Sequence, residues 1–166
     1  MSASNLEELF LDLLKDTYDA EKQLAKALPK LAKASSDENL QAAFESHLGE
    51  TEEQIGRLEQ IFEMLGKPAR GKKCAGMAGL IEEGKEVMEE DSPEAVTDAA
   101  LIAAAQKCEH YEIAAYGTMA TFAKILGMND ALKLLKLTLG EEKAADEKLS
   151  KIAQTINYEA QEEVEA

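Results

Sequence analysis

The stretch KCEHYEIAAY, residues 107–116, lies in a run of alanines and aliphatic residues that has the composition of a buried helix. Glu109 and Glu112 stand three residues apart, which places both carboxylates on one helical face. Two negative charges one turn apart on a buried face need compensation. Where that compensation comes from decides how the rest of the chain is read.

The surroundings are helical throughout. The chain has 166 residues, is 45% hydrophobic but only 5% aromatic, has no Trp, and has three Pro. Abundant Ala, Leu, Glu and Lys with few β-branched residues is a helix-forming composition, and the length suits one domain with a single core. An all-α fold is expected over 1–166. The formal net charge of −15 argues against non-specific binding to nucleic acid or to an anionic membrane surface. No apolar run approaches the length of a membrane span, and MSASNLEELF lacks the basic-then-apolar pattern of a signal peptide. Two cysteines, Cys74 and Cys108, are too few for a disulfide framework, so a cytoplasmic setting is expected.

Start and stop signals cut the chain into four long helices. Ser4-Asn5-Leu6-Glu7 and Ser35-Ser36-Asp37-Glu38 match the capping-box pattern, and Ser92 precedes a proline suited to a first helical turn. Gly127-Met128-Asn129-Asp130 reads as a stop followed by a start. These marks predict helices near 4–34, 37–65, 93–126 and 129–157, with an acidic tail, 158–166, expected to fray. The first and last pairs are joined by few residues and should form antiparallel hairpins. Between the hairpins lies a long crossover, opening with GKPARGKKC and carrying a short extra helix near 76–91. Two hairpins joined by one long crossover is ferritin-like four-helix connectivity. A weak internal repeat agrees: setting Glu21 on Glu109 sets Leu28 on Tyr116, and setting Asp37 on Asn129 sets Glu50 on Glu142 and Gln54 on Asp146.

The anomaly at 109 and 112 recurs in every helix. The first carries the stripe Phe10, Leu14, Thr17, Glu21, Leu24, Leu28, Leu31, with Glu21 in a leucine's place. The second reads Leu40, Ala43, His47, Glu50, Gln54, Leu58, Ile61, Leu65. The third reads Ala105, Glu109, Glu112, Tyr116, Met119, Ala123. The fourth reads Ala131, Leu135, Thr138, Glu142, Ala145, Leu149, with Asp146 a turn beyond Glu142. All fall near the helix midpoints, which share one level of a bundle. Buried, unpaired carboxylates cost several kcal/mol each or take up protons. None of the stripes offers Lys or Arg at this level, whereas two divalent cations would supply the missing charge. A single glutamate of this kind is unremarkable among 33 acidic residues; four helices agreeing on one level is not.

HLGETEEQI, AALIAAAQKCEHYEIAAYGT, GEEKAADEKL and DTYDAEKQL resemble the YciF-type bacterial stress proteins of the ferritin-like superfamily, along essentially the whole chain. The resemblance implies a five-helix ferritin-like bundle, a homodimer, a bacterial cytoplasmic setting and a rubrerythrin-like carboxylate site. In that pattern Glu21 matches the first-helix glutamate, and Glu109 with Glu112 the third-helix pair. Glu50 and Glu142 match the glutamates of two Glu-x-x-His motifs whose histidine positions here are Glu53 and Ala145. There is no Cys-x-x-Cys domain to deliver electrons.

The expected metal set is therefore Glu21, His47, Glu50, Glu109, Glu112, Glu142 and Asp146. His47 is either a replacement nitrogen ligand or a histidine held by a core hydrogen bond, and Asp146 is an open oxygen ligand. Gln54 is expected to fix Glu50 by a hydrogen bond, and Tyr18 or Tyr116 to reach a carboxylate of the layer or simply to fill the core. An oxygen-rich set with at most one histidine suits iron, as two oxygen-bridged ions, or manganese. Two functions follow: oxidation of Fe(II) with oxygen or peroxide, or a non-enzymatic stress dimer whose site is degenerate and which binds partners or buffers metal. DNA condensation is disfavoured by the negative charge and the lack of a lysine-rich arm.

Overall fold

The computed structural model describes residues 3–163 as five helices: α1 (Leu6–Ala34), α2 (Glu38–Met64), α3 (Ala75–Glu89), α4 (Glu94–Ile125) and α5 (Asn129–Glu163). It is an all-α, ferritin-like four-helix bundle in which α1–α2 and α4–α5 are the hairpins and α3 rides on the crossover, against α1 and α4. Two boundaries differ from expectation. The fifth helix continues to Glu163 where fraying after 157 is expected; residues 164–166 lie outside the described part. Its last turns stay anchored because Ile156 is buried in the core. At the start of α1 the cap is Asn5, whose side chain accepts from the Glu8 amide, while Glu8 reaches back to Ser4. The cap thus sits one residue later than the Ser4–Glu7 spacing suggests, and the returning Glu8 carboxylate binds Ser4 rather than the cap's own amide.

Gly66 and Gly127 end α2 and α4 with φ of 62° and 71°, the left-handed conformation a glycine adopts without a Cβ clash. Met128 N then bonds Ala123 O at 2.9 Å, closing the orphan carbonyls of α4. The crossover is tied along α1: Lys72 N bonds Lys15 O, Lys72 Nζ meets Asp12, and Cys74 N donates to Asp19 at 2.8 Å. Cys74, at the end of GKPARGKKC, is the N-cap of α3, its sulfur accepting from Met77 N.

Where the crossover ends, buried Asp98 of α4 accepts from Ser36 N at 2.9 Å and Asp37 N at 2.8 Å. This pins the first turn of α4 to the α1–α2 turn and sets the stagger of the two hairpins. Asp98→Ala leaves two backbone donors without partners, and should cost about 2 kcal/mol in denaturant unfolding; no loss would mean that packing alone sets the stagger.

The apolar core is split in two. One block joins Leu24, Leu28, Leu40, Phe44, Met77 and Leu101 with their neighbours, and the other joins Phe10, Leu14, Leu58, Phe62, Met119 and Leu135. Between the blocks, every long helix contributes a polar residue that is buried: Glu21, His47, Glu109 and Glu112, and Glu142.

Candidate metal centre

Four residues meet at this level. His47, Glu109, Glu112 and Glu142 each offer one ligand atom within 4.8 Å of the others, a cluster that can hold a metal ion. His47 Nε2 lies 3.0 Å from Glu109 Oε1 and 3.6 Å from Glu142 Oε2, and its Nδ1 lies 3.1 Å from Glu50 Oε2. One ring nitrogen of His47 thus faces the cluster, and the other faces outward to Glu50. Glu21 closes the layer from α1 and accepts a hydrogen bond from Tyr116.

The remaining expected residues stand elsewhere. Glu50 is half-buried, its side chain 42% exposed, at the mouth of the site rather than inside it. Along α2 the buried face runs His47, Thr51, Gln54, so Thr51 takes the core position and Glu50 sits beside it. Asp146 faces away, with Oδ2 3.1 Å from Nε2 of the exposed His110. Gln54 donates to Glu141 at 3.0 Å and not to Glu50. Tyr18 donates to Glu59 at 2.8 Å, and Tyr116 reaches Glu21, not the nearer-in-sequence Glu112. Glu53, at one of the missing histidine positions, points to solvent beside Arg57.

Arg57 is the cation that stripe reasoning missed. Its guanidinium forks onto Glu141 at 2.5 and 2.8 Å and donates to Thr138 at 3.1 Å. It lies beside the stripe, and only the pairing of α2 with α5 brings it to Glu141. Against burial, which pushes it up, Arg57 and Gln54 hold the Glu141 carboxyl below its ordinary range. Arg57 is thus committed to Glu141 and leaves the inner carboxylates uncompensated.

The electrostatics of the layer record that deficit. Burial and the neighbouring Glu142 push Glu21 up to about 8, with Tyr116 and Glu112 pulling the other way. Burial pushes Glu109 well up and Glu142 adds to it, while His47 opposes. Glu112 is driven up by burial and then by Glu21, Glu142 and Glu109, with no opposing partner. Burial lowers the His47 imidazole, but hydrogen bonds to Glu109 and Glu50 and the charges of Glu109 and Glu142 hold it well above its ordinary value. Cys108, beside Glu109 in sequence, is buried and pushed up to about 12 by burial and that carboxylate, so it is an inert core thiol.

The orphaned atoms test whether a cation fits. Glu21 Oε2, Glu109 Oε2, both oxygens of Glu112 and both oxygens of Glu142 are buried without a hydrogen-bond partner. Native proteins rarely leave such atoms unsatisfied. Oxygen donors from α1, α4 and α5 with one imidazole from α2 are the donors a hard or borderline divalent cation takes.

A four-helix bundle with inward carboxylates at mid-height defines this protein as ferritin-like, with a candidate metal centre. It belongs to the family described as a domain of unknown function, DUF892, whose model matches residues 5–162. It is 53% identical to Protein YciF of Escherichia coli strain K12 over 163 residues, covering 97% of this chain and 98% of that one. The crystal structure of the E. coli stress protein YciF superposes with a TM-score of 0.91, covering 94% of this chain and 99% of that one. YcfI of Rhodopseudomonas palustris, at 44% identity, gives 0.87 over 89% and 94% of the two chains. A Xanthomonas campestris protein at 20% identity gives 0.75 over 98% and 100%, a likeness of fold alone. Among the described residues no helix is long and apolar enough to cross a membrane.

Proposed function

We propose that this chain is a di-metal carboxylate protein, most naturally di-iron, that takes up Fe(II) and oxidises it with oxygen or peroxide. The observation that carries the reading is the set of unpartnered carboxylate oxygens in a fully buried layer. Glu109, Glu112, Glu142 and His47 would hold the metal, with Glu21 supporting from α1 and Glu50 from the mouth. Bound iron supplies the redox chemistry, each Fe(II) giving up one electron to the oxidant. The chain's own part is to exclude bulk water with the two apolar blocks, to orient Glu21 through the Tyr116 hydroxyl, and to give up the protons on its buried carboxyls as cations bind. Asp146, engaged with His110, remains a candidate only if that pair opens. Manganese would satisfy the same donors.

The stress-protein description of the E. coli relative is consistent with such a role, and the cytoplasmic homodimer implied by the YciF-type resemblance belongs to the same reading. One observation favours a second reading, a non-enzymatic stress dimer with a degenerate site. The positions where rubrerythrin-like proteins carry histidines hold solvent-facing Glu53 and Ala145. Anaerobic loading with Fe(II), removal of excess and counting of retained iron separates the two. Close to two irons per chain and a near-ultraviolet ferric band on admitting oxygen are expected, both lost in Glu109→Gln. Sub-stoichiometric iron and no band would assign the layer to the degenerate class.

A further inference from the structure

The layer is buried, so a cation needs a way in. Glu21, Glu112 and Glu142 have no exposed surface, and Glu109 has 2%. On the α2–α5 side, however, a cavity of about 100 Å³ reaches Glu109 and His47 directly. Its walls are small: Ala43 and Ser46 from α2 face Ala144 and Ala145 from α5. Ala145 is one of the positions where related carboxylate bundles would place a histidine, and the short side chain helps leave the gap.

The polar groups along this gap are graded in depth. Glu50 stands at the mouth, 42% exposed, and its Oε2 meets His47 Nδ1 at 3.1 Å. The other face of the same ring carries Nε2, 3.0 Å from Glu109 and 3.6 Å from Glu142. Glu109 Oε2 is buried with no hydrogen-bond partner, on a residue that lines the cavity. A chain of oxygen, nitrogen and oxygen donors thus runs from solvent to the layer. Lys148, exposed at the rim, is the one lysine or arginine among the lining residues.

We infer that the α2–α5 cleft is the portal through which a divalent cation reaches the buried carboxylates, with Glu50 receiving it and Ala145 setting the bore. This rests on the reading of the layer as a metal site. A portal is a kinetic element. Narrowing it slows uptake and loss together and leaves the equilibrium alone, whereas removing a ligand changes the equilibrium.

The test is stopped-flow uptake of Co(II) by the metal-free full chain, followed by visible absorption, with loss followed after adding a chelator. Ala145→Leu is expected to slow both rates at least tenfold with Kd unchanged. Lys148→Glu, at an exposed position where folding is not at stake, is expected to speed uptake two- to fivefold at low salt, the gain fading at high salt. Uptake by Ala145→Leu at the wild-type rate overturns the portal, as does a weakened Kd without slower kinetics. If Ala145→Leu does not fold, an unchanged rate in Lys148→Glu overturns it instead. Wild-type protein that takes up no Co(II) would refute the metal site itself, a distinct result.

Discussion

Glu112→Leu is expected to make the metal-free protein more stable at pH 8 and to abolish its stabilisation by metal. Glu112 has no exposed surface, and neither of its oxygens has a partner. Its neighbours in the layer are Glu21, Glu142 and Glu109, each of which raises its proton affinity. Removing one member of an ion pair usually strands the other, which is why such changes destabilise. Here the residue removed is paired with no cation, so no charge is stranded, and the crowding it shares with Glu142 and Glu109 is relieved. Leucine fills a similar volume between the two apolar blocks. By analogy with buried ionic groups replaced by apolar ones, the gain is about 1–4 kcal/mol. For a chain of this size that is roughly 3–11 °C in a melt with chelator present. In the same variant, the rise in Tm on adding Mn(II) or Fe(II), which follows from selective binding to the folded state, should disappear. A destabilised Glu112→Leu would mean that Glu112 belongs to a satisfied polar network, which would remove the argument for a cation.

That trade also explains which parts of the site are legible in the sequence. Glu21, Glu109, Glu112 and Glu142 can be read from the chain because each interrupts an otherwise apolar three-four rhythm, and burial of the stripe carries the glutamate inward. The α2 stripe is harder. From His47, steps of three and four residues lead to Glu50 and Thr51, both polar, and rhythm cannot choose between them. The bundle chooses Thr51, fully buried, and leaves Glu50 at the rim. Contacts between helices are the least legible. The Arg57–Glu141 fork, the Tyr116 bond to Glu21 and the Asp146–His110 pair depend on how two helices are staggered. That stagger is set by the turns and by Asp98, not by any one stripe. The hairpins and crossover, by contrast, follow from glycine stops and cap signals within a residue or two, because those act locally.

Without metal, the protein should lose stability as pH rises from 5 to 8. Glu21 sits at about 8 when folded against an ordinary 4.5. Between those values the folded chain keeps a proton that the unfolded chain has released, so each rise in pH favours unfolding. The stability is greatest near the lower value and is lost progressively up to the higher one. Each such group contributes a slope of about 1.36 kcal/mol per pH unit, so Glu21 alone accounts for about 3–5 kcal/mol across the window. Glu109 and Glu112 are shifted in the same direction and add to the fall. His47 does too: it is held above its ordinary 6.5, so its contribution is complete below that value and is lost as pH climbs through the raised one. Bound metal should reverse the trend, because a cation must displace these protons and so binds more tightly as pH rises. The gap between metal-loaded and metal-free melts should therefore widen from pH 6 to pH 8. Glu21→Gln should flatten the metal-free slope by about one proton, which separates the layer from general repulsion among surface carboxylates. A metal-free protein whose stability stays level or climbs over this range would show that the carboxylates remain ionised inside the fold. Some other compensation would then have to take the place assigned to protons here, and to metal when it is bound.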